Sequence, residues 1–305
     1  MHDTELAFYD TRIAPLLGKH EESRQRAFAA WRKLSMGVAA LALILAGVLA
    51  FTGPDQIWGL ALLGGGLGIL LLYLRTSKLW SGALSGEVIA ALCEEAGDVT
   101  PARAALLVEP FERLGVVGRC DKVELTSPFD GQYRGHDYAI ASADLGRTSR
   151  GKDSSSTTVF QGLLLRIALP APAPRLLLIR NLGSLGSALN RKVLDMTGHM
   201  KQVTLGIGAV EQQFDVRAED TEAARGYLTV RVIRALQVLV EAERDNSAVT
   251  VGFDETTLLV ALPRMRQVFR MGSLFRPLAG LRPAIMAARA DLTLPRRVID
   301  ALLDG

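Results

Sequence analysis

Two long apolar runs near the start of the chain dominate its pattern of hydrophobic and polar positions. They cover residues 34–52 and 57–74, contain no charged side chain, and are joined only by residues 53–56. At about 1.5 Å of helical rise per residue, each run covers roughly 27–28 Å, close to the thickness of the bilayer's hydrocarbon core. A helix in a soluble core normally keeps a polar stripe, and these runs have none. The pattern therefore predicts a transmembrane hairpin of two antiparallel helices.

Basic residues flank the predicted hairpin on one side only. Arg32 and Lys33 precede the first run, Arg75 and Lys78 follow the second, and the link between the runs carries a single charge, Asp55. Lysine and arginine near the ends of membrane helices stay on the cytoplasmic side. We therefore expect a two-pass membrane protein with both termini in the cytoplasm.

Short β-type runs separated by turn residues follow the hairpin. Residues 157–169 and 175–180 are predicted strands, divided by a stiff proline-rich connector at 170–174 that ends the first of them. Farther along, residues 248–262 are predicted to form a second hairpin, with its turn at 254–255.

Helical patterns occur on both sides of these strands. Residues 101–114 are a predicted helix, with Thr100 as its N-cap and Gly115 after its end. Residues 220–243 are the clearest amphipathic helix, with apolar side chains recurring at helical spacing. Strands followed by a long helix and a further hairpin predict an α+β domain with a largely antiparallel sheet.

These elements predict five segments. Their mixture of membrane and soluble character agrees with a mean hydropathy of +0.21 in a chain whose residues are 22% charged. The segments are a cytoplasmic amphipathic N-terminal segment (1–33), the transmembrane hairpin (34–78), juxtamembrane helices (79–118), the cytoplasmic α+β domain (119–262) and a basic helical C-terminal segment (263–305).

The C-terminal segment concentrates positive charge, and its meaning stays open at this point. Residues 263–305 contain eight arginines and three aspartates, a net charge of +5. One interpretation is contact with anionic lipid headgroups through Arg264, Arg266, Arg270 and Arg276, at about 1 kcal/mol per basic residue near the surface. The other is a solvated surface whose arginines pair with acids elsewhere. No nucleic acid is expected as a partner, because no binding motif accompanies the charge.

The densest cluster of polar residues lies at the start of the long amphipathic helix. Glu219, Asp220, Glu222 and Arg225 could bind a ligand there or support acid–base chemistry. The same residues could equally cap the helix and pair with one another. No catalytic set, metal-ligand spacing or cofactor motif is recognised elsewhere, so we predict no cofactor, metal or catalytic residue.

Small residues recur along one face of each apolar run. They are Ala42, Ala46 and Ala50 in the first run and Gly64 and Gly68 in the second. Such faces let helix backbones approach closely in a membrane. We expect them to pack within the hairpin or between the subunits of a homo-oligomer.

Several motifs resemble those of a bacterial family catalogued as domain of unknown function 3137. The motifs are FDG at 129–131, TVFQGL at 158–163 and FDVRAEDTEAAR at 214–225, and their order and spacing agree over roughly residues 120–275. Gly226 departs from the family pattern, which has an aromatic residue at that position. The resemblance implies two membrane helices followed by a cytoplasmic α+β domain. It also implies a LemA-type membrane protein as a possible partner, because genes of the two families often lie close together.

The hypothesis with the most support is a membrane-anchored cytoplasmic interaction or scaffold protein. It would assemble with itself or with a membrane partner, and its other contact would be the lipid bilayer. The alternative is an enzyme or ligand-binding domain that acts on a membrane-associated substrate through the acidic cluster at 215–225.

Overall fold

The computed structural model describes residues 7–52, 57–102, 106–148, 156–181, 200–243, 248–265 and 268–304. They form two compact units. The first combines Met1–Leu92 with Arg270–Met286, and the second combines Cys93–Phe269 with Ala287–Gly305. The predicted link at 53–56 and Arg266 lie outside the described residues.

Two long helices make up most of the first unit. A π-helical turn, Tyr9–Ile13, leads directly into helix α1, Ala14–Thr52, and helix α2 spans Ile57–Ala96. Arg270–Met286, called the return segment below, packs against them and contains a 3₁₀ turn, Leu278–Leu281. Helix α7, Arg282–Leu292, begins directly after this 3₁₀ turn.

One sheet of seven strands forms the framework of the second unit within the described residues. Its order is β1-β2-β3-β4-β6-β5, with β7 paired to β4, and every pairing is antiparallel. This confirms the α+β class and the antiparallel sheet that the sequence predicts. The strands are β1 (Val99–Pro101), β2 (Lys122–Tyr133), β3 (His136–Thr148), β4 (Ser156–Arg180), β5 (Lys201–Gln202), β6 (Phe214–Ala218) and β7 (Thr250–Pro263).

Strands β4 and β7 pass through the positions where the sequence predicts breaks, so both of those predictions are wrong. The predicted connector at 170–174 lies inside β4, and the predicted turn at 254–255 lies inside β7. The two irregular stretches face each other, with Ala173 paired to Glu255 and shifts of register on both sides. Proline cannot donate a ladder hydrogen bond but tolerates extended backbone. Pairing on either side of the prolines therefore keeps the strand continuous.

Gly162 allows a close approach of these two strands. A Cβ atom at this position would collide with the backbone carbonyl oxygen of Leu262. A glycine inside a strand is a common sign of such an approach.

The predicted helix at 101–114 is mostly absent. Thr100 and Pro101 lie in β1, which pairs with the edge of β2, and helix α3 covers only Glu109–Leu114. Its end is as expected, because Gly115 adopts a left-handed conformation with φ of 80°. Backbone pairing with a neighbouring strand therefore decides the conformation around Thr100.

The predicted long helix at 220–243 is divided in two. Helix α5 spans Thr221–Tyr227 and helix α6 spans Val230–Glu241, because Leu228 leaves the helical region with ψ of 63°. The predicted core stripe is nevertheless buried: Ala224, Leu228, Val232, Leu236 and Leu239. Among the described residues of the second unit, two further helices are the single turn α4, Gly208–Glu211, and α8, Leu294–Asp304.

Candidate membrane interface

The two apolar runs form a belt of exposed hydrophobic side chains on α1 and α2. Phe51 is 93% exposed and Leu63 is 71% exposed. Transfer of each large apolar side chain out of water is worth about 1.5–3 kcal/mol, so a belt of this size is costly in water. The two helices are long and apolar enough to cross a membrane. The belt consists of Leu34, Met36, Leu41, Leu43, Ile44, Leu45, Val48 and Phe51 on α1 and Leu60, Leu62, Leu63, Leu67, Leu70, Leu71 and Leu74 on α2.

Helix α2 changes character after Leu79. Trp80, Leu84, Val88 and Leu92 recur at four-residue spacing, and all four are buried. A four-residue spacing places them on one face, as in an ordinary amphipathic helix of a water-soluble protein. The same helix therefore carries one segment suited to hydrocarbon and one suited to water.

Close contact between α1 and α2 within the belt depends on Gly65. A Cβ atom on Gly65 would lie 2.5 Å from the Cβ atom of Ala42, whereas one on Gly68 would lie 3.7 Å from Cγ1 of Val38. A Cβ atom on Gly64 would meet nothing within 4 Å. The structure therefore brings Ala42 and Gly68 into the hairpin contact, and it does not bring in Gly64. Sequence reasoning missed Gly65 because three successive glycines do not reveal which of them faces the partner helix.

The other two small residues of α1 differ from each other. Ala46 is 8% exposed and lies in the interior, whereas Ala50 is exposed. Since successive positions on an α-helix turn by about 100°, a four-residue spacing drifts slowly around the helix and leaves the contact face.

Four aromatic rings gather where the belt ends. The Phe275 ring of the return segment lies 4.8 Å from the Tyr73 ring and 5.1 Å from the Trp31 ring, measured between centroids. Phe28 completes the group at 5.7 Å from Phe275 and 5.9 Å from Trp31. Aromatic side chains favour the boundary between hydrocarbon and water. We call these four residues the aromatic cluster.

A partly buried ion pair holds the return segment next to the aromatic cluster. Arg24 and Glu21 are joined at 2.6 Å; Arg24 Nη1 donates to the Leu274 carbonyl oxygen at 2.7 Å, and the Leu278 N–H donates to Glu21 at 3.1 Å. The hydrogen bond from Arg24 lowers the pKa of Glu21 to about 2, against the opposing effect of burial. The pair therefore satisfies two backbone groups on either side of Phe275.

A second attachment lies farther down α2. The Met271 N–H donates to Ser85 Oγ at 2.8 Å, and Ser85 Oγ donates to the Met271 carbonyl oxygen at 3.4 Å. Ser85 follows Tyr73, the residue of α2 that contacts Phe275, by twelve positions, which is roughly 18 Å along α2.

Basic side chains surround the aromatic cluster. Arg32, Lys33, Arg75, Lys78 and Arg276 are all exposed, and we call them the basic collar. The sequence has no aspartate or glutamate at 27–52, 57–86 or 264–290, the segments from which the collar is drawn. The end of the apolar belt is therefore uniformly positive.

The arginines of the C-terminal segment that are predicted to contact lipid differ in their exposure. Arg264 is buried, and its Nη2 atom lies 3.0 Å from Asp291 and 2.9 Å from the Ala242 carbonyl oxygen, so it is not free to reach a headgroup. Arg270 and Arg276 are exposed on the return segment.

The residues of the predicted acidic cluster take part in separate local interactions. Asp220 caps α5 by accepting hydrogen bonds from the N–H groups of Glu222 and Ala223 at 2.9 and 3.1 Å. Glu219 accepts a bond from Arg175 at 2.9 Å. Capping of this kind satisfies amide groups that the first helical turn leaves unpaired.

The last member of that cluster points toward a neighbouring loop. Arg225 Nε donates to the Leu205 carbonyl oxygen at 2.8 Å, while its Nη1 atom lies 3.5 Å from Glu222. The four residues therefore share the start of α5 but have different partners. Across the part of the chain that the structure describes, no group of three His, Cys, Asp or Glu side chains could hold a metal ion.

Comparison with known proteins finds a family whose model matches part of the chain. The chain forms an α+β fold with two long apolar helices. Residues 158–303 match the model of the family described as Protein of unknown function (DUF3137), which confirms the resemblance drawn from the sequence.

The other comparisons add one solved structure. The chain is similar, at 12% identity and a TM-score of 0.35, to the crystal structure of the mycobacterial trehalose monomycolate transport factor A, TtfA; the alignment covers 70% of this chain and 95% of that one. None of the curated proteins matches the chain.

Proposed function

We propose that the chain is a two-pass membrane protein whose hairpin anchors a cytoplasmic α+β domain, and that this domain is an interaction or scaffold module. The observation that carries the proposal is the abrupt end of the exposed apolar belt. Below Leu74 the aromatic cluster and the basic collar follow at once, and from Trp80 onward α2 buries an ordinary amphipathic stripe. The order along α2 is an exposed apolar belt, then aromatic and basic side chains, then an amphipathic segment. This order matches that of the bilayer core, its interface and water.

The orientation follows from the collar. Arg32, Lys33, Arg75 and Lys78 flank the belt on the side of both termini, while the link carries only Asp55. Basic residues near membrane ends remain cytoplasmic, which puts the α+β domain in the cytoplasm of a bacterial cell at the inner membrane.

The interaction role is supported by the hydrogen bonds of the residues that the sequence suggested for ligand binding or acid–base chemistry. Asp220 is used as a helix cap, and Glu219 and Arg225 bind an arginine and a backbone carbonyl. Assembly through the domain, either with a second copy or with a LemA-type membrane protein, is the function we propose in place of catalysis at this cluster.

Cysteine labelling in intact cells tests the topology. Asp55→Cys should react with a membrane-impermeant maleimide from outside, and Arg147→Cys, at an exposed position of β3, should react only after permeabilisation. The native thiols give a low background, because burial and the Glu112 carboxylate raise the pKa of Cys120 to about 12 and burial raises the pKa of Cys93. The opposite labelling pattern, or release of the chain by alkaline carbonate, would overturn the proposal.

Crosslinking in intact membranes tests the assembly. A scaffold should give a discrete crosslinked species, either a dimer or higher oligomer of the chain or an adduct with one membrane partner. A chain that remains monomeric and without a specific neighbour would remove the scaffold role while leaving the anchor in place.

A further inference from the structure

The return segment carries a tight turn at 273–276. The Arg276 N–H lies 3.3 Å from the Ser273 carbonyl oxygen, which closes a four-residue turn. Gly272 leads into it with φ of +84°, a conformation that favours glycine. Phe275 and Arg276 are left exposed at the turn, while Leu274 beside them is fully buried.

This turn is held at the end of the apolar belt. Phe275 stacks on Tyr73, and Leu74, which follows Tyr73, is the last exposed leucine of the belt. Hydrogen bonds from Arg24 to Leu274 and from Leu278 to Glu21 fix the backbone on both sides of the turn. A turn that is tied on both sides presents Phe275 and Arg276 without a large loss of conformational entropy on binding.

The arginines of the C-terminal segment differ in a way that points to this turn. Among the described residues of this segment, the arginines without a carboxylate partner are Arg270, Arg276 and Arg282, and all three belong to the return segment. Arg282 instead lies over the Tyr9 ring at 4.8 Å. The arginines that pair with acids are Arg264 with Asp291, Arg289 with Glu95, Arg296 with Asp98 and Arg297 with Glu241.

Arg270 and Arg276 lie at different depths. Arg276 follows Phe275, which contacts Tyr73, whereas Arg270 precedes Met271, which is bound to Ser85. The separation of Tyr73 and Ser85, roughly 18 Å along α2, exceeds the Debye length of about 8 Å at physiological ionic strength. Arg276 is therefore within reach of a headgroup phosphate, and Arg270 is a natural internal control.

We propose that the turn at 273–276 binds the headgroup of an acidic phospholipid. The Arg276 guanidinium donates hydrogen bonds to the phosphodiester oxygens, and Phe275 lies in the interfacial layer on the face of the aromatic cluster. The collar, whose own segments contain no aspartate or glutamate, adds attraction for negative charge. The inference rests on the proposed membrane anchor and assigns it a lipid class.

Quenching of tryptophan fluorescence by brominated lipids measures this preference in the full chain. The protein is reconstituted in phosphatidylcholine bilayers that contain either dibrominated phosphatidylglycerol or dibrominated phosphatidylcholine. A Trp58→Phe, Trp80→Phe background leaves Trp31 as the tryptophan that reports on the cluster. The wild type should prefer phosphatidylglycerol. Arg276→Gln should lower that preference about fivefold at low salt, as expected from the attraction of one basic residue. Arg276→Lys should retain most of it.

Arg270→Gln is the matched control, because it removes the same charge from the same segment. It should leave the lipid preference unchanged. Equal preferences in the wild type and in Arg276→Gln would overturn the inference alone, as would an equal loss in Arg270→Gln. Quenching by neither lipid would overturn the membrane anchor together with the inference.

Discussion

The ring of Phe275 stacks on the ring of Tyr73 with their centroids 4.8 Å apart and their planes inclined by 20°. One residue belongs to the return segment and the other to the end of the second apolar run, so a contact distant in sequence closes the base of the helix pair. An aromatic pair of this kind contributes about 0.5–1.5 kcal/mol beyond the burial of its area.

We expect Phe275→Ala to loosen the return segment. The free-energy loss of about 1 kcal/mol corresponds to roughly fivefold faster cleavage by trypsin at Arg270, because local opening controls access of the protease. Leu107→Ala, at a side chain that is also large and exposed but lies in the second unit, is the control. Unchanged cleavage in Phe275→Ala would show that the aromatic contact does not hold the segment.

The partly buried pair of Glu21 and Arg24 should make the first unit sensitive to acid. Because the folded-state pKa of Glu21 is about 2, below its usual value of 4.5, the pair stabilises the fold fully above pH 4.5 and less as the pH falls toward 2. Glu21→Gln should therefore destabilise the protein by about 1–3 kcal/mol at pH 7, and the difference from wild type should shrink below pH 4.5. Thermal unfolding in detergent between pH 7 and pH 3 measures both effects.

Glu22→Gln is the matched control for that experiment. Glu22 is the residue after Glu21 on the same helix. It pairs with Arg26 at 3.3 Å, but both side chains are largely exposed. An exposed i,i+4 pair is worth about 0.3–0.5 kcal/mol. If Glu21→Gln and Glu22→Gln change stability equally at pH 7, the partial burial of the Glu21–Arg24 pair adds no stability.

Contact between the two long apolar helices should depend on Gly65 and not on its neighbour Gly64. Gly65→Ala places a Cβ atom 2.5 Å from that of Ala42, so the helices must separate, at a cost of about 1–3 kcal/mol. Gly64→Ala meets nothing within 4 Å and should be neutral or slightly stabilising, because alanine favours a helix. Thermal unfolding of the two variants in detergent is the measurement, and equal stabilities would contradict the contact.

The start of α5 should respond to substitution as a cap. Asp220→Ala removes the acceptor for two backbone N–H groups and should destabilise the domain by about 1 kcal/mol, measured by urea unfolding. Glu222→Ala, on a neighbouring exposed carboxylate, should change stability by less than about 0.5 kcal/mol. A larger loss in Glu222→Ala would indicate a role that local structure does not explain.

Local sequence patterns were not sufficient to predict the continuous pairing of β4 with β7. Prolines at 170–174 and the Asp254-Glu255 pair are genuine signs of irregularity, and both mark shifts in register. They do not end the strands, because β7 runs along β4 on both sides of the irregular stretch. Nothing in either segment taken alone indicates that its partner carries a matching irregularity.

By itself, the sequence determined the two apolar helices and the antiparallel α+β character, because hydropathy and periodicity are properties of neighbouring residues. It also indicated the family whose model residues 158–303 match. Only the tertiary structure decided that residues 270–286 return to the helix pair and that Phe275 joins Tyr73. It also decided that Arg264 is buried against Asp291 while Arg276 remains exposed. The physical reason is that pairing and burial depend on partners distant in the chain, which composition and spacing do not specify.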